Sequence, residues 1–121
     1  MLLMVLEHIL LLMGVVRVQG TVSPKSLEEA KGAEEEGRKE MDGKHYKEAL
    51  QNFVHAHAMV PTKPLYLLLA ANAHRVLGHD EAARTLYDFV LTSPELSPDE
   101  KAEAENNLAE VTPNEINTAT V

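Results

Sequence analysis

One stretch, HYKEALQNFVHAHAMVP (His45–Pro61), returns further along the chain as HDEAARTLYDFVLTSP, beginning at His79. In that register His45 meets His79, Ala49 meets Ala83, Phe53 meets Tyr87 and Ala56 meets Val90. Upstream, Gly37 meets Ala71. Small residues fall on small residues and an aromatic falls on an aromatic, at positions that decide how closely helices approach. A period of about 34 residues marks a chain built from repeated supersecondary units, each too small to bury its own apolar face. Stacking is then the only way to a core.

The unit is helical. In the first copy the apolar residues are Tyr46, Ala49, Leu50, Phe53, Ala56 and Val60, with steps mostly of three and four. That is the amphipathic-helix template, and Pro61 ends it. The same reading decides the His-x-His pair, His55 and His57. Residues i and i+2 share a face on a strand, but on a helix they lie about 200° apart, so the two imidazoles diverge. His55 aligns with Phe89 and His57 with Leu91, which favours packing over metal ligation.

Caps and breakers set out five helices. Ser26-Leu27-Glu28-Glu29 reads as a capping box opening a helix to about Asp42, and Gly43 makes the turn. The second helix runs from about His45 to Val60. Thr62 or Lys63 caps the third, with Pro64 near its first turn, and Gly78 ends it after Leu77. The fourth spans about Asp80–Thr92. Ser97-Pro98-Asp99-Glu100 is a second capping box, opening a helix to about Val111. The third helix, PLYLLLAANAHRVL, is apolar nearly all round, as a helix with neighbours on both sides should be. The first and the fifth each have one apolar stripe and one charged face. Both read as end caps with a wet outer side.

These residues resemble the tetratricopeptide repeat family, whose unit is a helix–turn–helix of about 34 residues. The resemblance rests on Gly37, Tyr46, Ala49, Phe53, Ala56 and Pro61 in one unit. In the next it rests on Leu67, Ala71, Gly78, Ala83, Tyr87, Val90 and, one residue early, Pro94. Ala33 and Glu36 depart from the pattern, and Gly43 comes one residue earlier than Gly78 would require. The resemblance implies an all-α fold, a tetratricopeptide-like α-α superhelix of about five antiparallel helices. It divides the chain into an apolar segment 1–20, a linker 21–25, a repeat domain 26–111 and a polar tail 112–121. Within the domain, repeats fall at about 30–63 and 64–97, with a capping helix at 98–111.

The first twenty residues, MLLMVLEHILLLMGVVRVQG, are almost wholly apolar. They read as a secretory signal lacking its basic start, as a membrane anchor slightly short of a span, or as a packed helix or translation from an upstream start. If the first helix of the domain is already a cap, the segment has no obvious place to pack. An exported or membrane-attached protein is therefore the expectation.

Composition removes several function classes. Lys and Arg total 11 against 19 Asp and Glu, a net charge of −8. Glu7 and Arg17 cancel, so that charge belongs to residues 21–121. It disfavours nucleic acid, which needs clustered cations. There is no cysteine, hence no disulfide or thiolate metal site. No phosphate-binding glycine loop, zinc-protease helix or nucleophile elbow is present. No enzyme, metal or cofactor is expected. Glu34-Glu35-Glu36 reads as a solvated face.

What remains is recognition of a protein or peptide. The resemblance implies that the first helices of the repeats line a concave groove. Carried over by alignment, that groove would use Arg38, Met41, Leu65, Leu68, Asn72 and Arg75, with Lys31, Glu34, Asp42 and Val76 beside them. Asn72 matches an asparagine that the family uses on a peptide backbone, and Arg38 and Arg75 could meet carboxylates. Leu65 and Leu68 could equally be ordinary core. The expected role is an adaptor or assembly factor. The alternative is a structural subunit that self-associates, so a homo-oligomer is also considered.

Overall fold

A computed structural model describes residues 22–111. The apolar segment 1–20 and the tail 112–121 lie outside the described residues, and with them the signal and anchor readings. Among the described residues the fold is all-α, five helices and no strand. They are α1 (Pro24–Asp42), α2 (Tyr46–Met59), α3 (Pro64–Val76), α4 (Asp80–Val90) and α5 (Pro98–Val111). Each packs against the next, and α5 also reaches back to α3. No described helix is long and apolar enough to cross a membrane.

Local chemistry explains the boundaries. Helix α1 starts earlier than its expected capping box. Ser23 is the cap, its Oγ accepting from the Ser26 backbone N–H at 3.1 Å, and Pro24 opens the helix. Proline at that position has a pre-set φ and no N–H to leave unpaired, so Ser23-Pro24 outcompetes Ser26. At α5 the reciprocal box forms as the sequence indicates. The Ser97 N–H donates to Glu100 Oε1 (3.0 Å), and the Glu100 N–H donates to Ser97 Oγ (3.1 Å).

The turns within the two helix pairs share one hydrogen-bond pattern. After α1, the N–H groups of Gly43, Lys44 and His45 donate to the carbonyls of Lys39, Met41 and Glu40. After α3, those of Leu77, Gly78 and His79 donate to Ala73, Arg75 and His74, each bond 34 residues further along the chain. The left-handed residue that this closure needs is Gly78, φ 82°, in one turn and Lys44, φ 63°, in the other. Gly43, expected to make the first turn, has φ −82° and does not supply it.

Burial follows the same offset. Ala49 and Ala83 are fully buried, as are Phe53 and Tyr87, and Ala56 and Val90. Two apolar clusters result. One lies between α1, α2 and α3, around Phe53, Tyr66 and Leu69. The other lies between α3, α4 and α5, around Leu68, Tyr87 and Val90. Helix α3 feeds both, which accounts for a sequence apolar on every side. Helix α1 buries only Ala30, Ala33 and Gly37, and α5 only Ala104 and Val111.

Candidate functional site

The alternate helices α1, α3 and α5 share a face, and a cleft of about 280 Å³ opens on it. The last turns of α1 bring Arg38, Met41 and Asp42, α3 brings Leu69 and Asn72, and α5 brings Glu103. Phe53 of α2 closes the floor. Three of the six groove residues named from the sequence, Arg38, Met41 and Asn72, therefore meet around one space. Arg38 is half-exposed and its Nε donates to Glu34 Oε2 at 2.9 Å, one turn back on the same helix. Asp42 is exposed and makes no side-chain hydrogen bond or ion pair with the described residues.

The other three sit differently. Leu68 is fully buried in the second cluster, which is the ordinary-core alternative. Its neighbour Leu69, one helical step round, is the leucine that faces the cleft. Leu65 is half-buried and packs against both clusters. Arg75 lies one turn beyond the cleft, where its Nη1 donates to Glu110 Oε2 at 3.0 Å. Its Nε is buried with no hydrogen-bond partner.

Asn72 is the centre of a polar network that ties three helices together. Its Nδ2 donates to Glu103 Oε2 on α5 at 2.8 Å. Its Oδ1 accepts from the Tyr87 hydroxyl on α4 (2.5 Å) and from Asn107 Nδ2 on α5 (2.8 Å). Burial raises the Tyr87 phenol above its ordinary pKa, and the nearby Arg75 guanidinium partly offsets this. A buried hydroxyl without an acceptor would be costly, so Tyr87 fixes the Asn72 amide, and the amide fixes α5. Sequence reasoning missed Tyr87, Glu103 and Asn107 as members of this site. The available signals were a lone amide in an apolar helix and a tyrosine where the aligned position, Phe53, is a phenylalanine.

The histidines do other work. His55 is exposed, with Nε2 3.3 Å from Glu29 on α1. His57 is half-buried, its Nδ1 has no partner, and burial lowers its pKa. His74 pairs with a different histidine. Its Nδ1 lies 3.0 Å from that of His79 across the α3–α4 turn, and burial, with the charge of His79, lowers its pKa. Among the described residues no three His, Cys, Asp or Glu side chains are grouped to hold a metal ion.

A second cleft, about 350 Å³, lies at the opposite edge of α3. Pro61, Pro64 and Leu67 form one wall, and Phe89, Val90 and Pro94 the other. Phe89 is 62% exposed there. None of the residues named from the sequence for recognition reaches it.

Compared with protein-family models, with curated proteins and with solved structures, the chain matches none.

Proposed function

We propose that this protein is a two-repeat tetratricopeptide domain that binds a segment of a partner protein on the shared face of α1, α3 and α5. It works as an adaptor or assembly factor, without catalysis. The observation that carries the reading is the convergence of Arg38, Met41 and Asn72 on one cleft. The family assignment is supported by two turns with the same hydrogen bonds one repeat apart, and by equal burial at the aligned positions. The cleft, about 280 Å³, lies at the low end of small-molecule sites, which run from about 300 to 1,000 Å³ and enclose their ligands. A side chain of a longer polypeptide suits it better. The apolar segment 1–20 adds export or membrane attachment to the proposal.

A second reading, self-association as a structural subunit, draws on the exposed Phe89 beside its apolar cleft. Affinity capture from the native source with the intact chain separates the two. With Met41→Ala or Met41→Gln a specific partner should be lost, and with Phe89→Ala it should be retained. Capture unchanged by the groove substitutions would remove the proposal. Size and melting temperature that depend on concentration, abolished by Phe89→Ala, would support self-association instead.

A further inference from the structure

The charges around the α1–α3–α5 cleft are not balanced, and their sign says what kind of partner fits. Arg38, the one cation lining it among the described residues, is neutralised by Glu34 at 2.9 Å. Arg75, a turn away on α3, is neutralised by Glu110 at 3.0 Å. Asp42 and Glu103 then remain at the mouth. Asp42 has no partner among the described residues, and Glu103 is held only by the neutral amide of Asn72. Both are exposed, and no cation of the described residues pairs with either. Beneath them the wall is apolar, with Met41, Leu69 and the edge of Phe53. A carboxylate pair over an apolar pocket is complementary to a cation on an apolar stem, or to an aliphatic side chain flanked by cations.

We propose that the groove takes a basic segment of a partner protein, with an aliphatic side chain seated on Met41 and Leu69 and flanking Lys or Arg ammonium or guanidinium groups at Asp42 and Glu103. The inference rests on the proposed groove and names its ligand class. The chain's own tail, TPNEINTATV, cannot be this ligand, because it carries Glu115 and no cation. The site is also the reverse of a carboxylate clamp. An acidic peptide would face two carboxylates without a paired cation and two arginines already paired. With the carboxylates exposed to water, the charge term is modest and falls with salt, so its main effect is to select among partners.

Fluorescence anisotropy with the full chain tests this. The probes are three labelled peptides of equal length: leucine between lysines, leucine between glutamates, and alanine between lysines. The leucine–lysine peptide should bind about tenfold more tightly than either of the others at low salt. The double substitution Asp42→Asn, Glu103→Gln should remove that preference and flatten the salt dependence, while Phe89→Ala leaves both unchanged. The glutamine retains an oxygen for the Asn72 amide, so α5 stays docked, which circular dichroism and melting check. Equal binding of the lysine and glutamate peptides, still weakened by Met41→Ala, would overturn the charge assignment and leave the groove standing. Binding insensitive to every groove substitution, or no binding by any peptide while native capture still needs Met41, would overturn it too. The first of these would remove the groove as well, and the second would not.

Discussion

The two helix pairs, α1–α2 and α3–α4, answer the same packing problem differently. At the point of closest approach the first pair sets Gly37 against Phe53. A Cβ built on Gly37 would stand 2.5 Å from the Phe53 ring, so only hydrogen fits. The second pair sets Ala71 and Tyr87 at the aligned positions, both fully buried. The added hydroxyl of Tyr87 reaches Asn72, and through it α5. The first pair is thus apolar at Gly37 and Phe53, with its polar ties, Asn52 to Glu40 and His55 to Glu29, flanking that contact, whereas the second carries a polar clasp at the aligned position that holds the last helix and shapes the cleft. Their turns differ in the same spirit. The left-handed position is relaxed at Gly78 and strained at Lys44.

The largest effect should come from the helix that both clusters share. Leu68→Ala removes a fully buried side chain from the second cluster, at a cost of about 3 kcal/mol. Against the ~5–15 kcal/mol of a typical domain this is a large fraction, and chemical denaturation should show it. At the aligned position of the first pair the chain carries Glu34, bonded to Arg38 at 2.9 Å. Truncating Glu34 to Ala should change stability by only about 0.5 kcal/mol.

Two glycines on α1 make a sharper comparison. Gly37→Ala forces a methyl group into the buried Phe53 ring. It should destabilise by about 1–2 kcal/mol, despite alanine's better helix propensity. Gly32→Ala meets nothing within 4 Å, and should stabilise by about 0.5–1 kcal/mol. Two thermal melts suffice. The same sign for both would mean that the Gly37–Phe53 joint is not tight.

Tyr87→Phe converts the second joint into the chemistry of the first. It should cost about 1 kcal/mol and no more, since Asn72 Oδ1 keeps the Asn107 bond. Hydrogen exchange should locate the loosening in α5, with α1 and α2 unaffected. Lys44→Gly should do the converse for the turns, relieving the left-handed lysine and stabilising by about 0.5–1 kcal/mol.

The smallest effect is a pH dependence. Burial holds the folded-state pKa of His57, and of His74, below the ordinary 6.5. The unfolded chain therefore takes up protons first. The contribution of the neutral rings is complete above about pH 6.5 and is lost as pH falls from there towards the lowered values. His57→Leu, matching Leu91 in the second pair, should make urea midpoints less sensitive to acid over that range.

Much of this was legible in the sequence, for identifiable reasons. Helix number and order follow from period, caps and prolines, all of which act locally. The start at Ser23 was hidden because Ser26 offered an equally good cap, and only the proline decides between them. The first turn was assigned to Gly43 because glycine is the usual left-handed residue, whereas the turn's hydrogen bonds require Lys44. On α3, a helix apolar on every side, leucine spacing cannot tell Leu68 from Leu69. Their assignment needs both neighbours in place. Alignment points to Arg38, Met41 and Asn72, which line one cleft, but Tyr87, Glu103 and Asn107 are joined to Asn72 only through contacts 15 to 35 residues away along the chain.

The claim most in need of a direct test is that recognition occurs on the α1–α3–α5 face and not at the Phe89 edge. Methyl-resolved NMR of the full chain, titrated with the captured partner or with the leucine–lysine peptide, reads both faces at once. The account predicts that the Met41 and Leu69 methyl signals shift with saturation while those of Leu67, in the other cleft, stay fixed. Shifts at Leu67 with Met41 and Leu69 unmoved would contradict it.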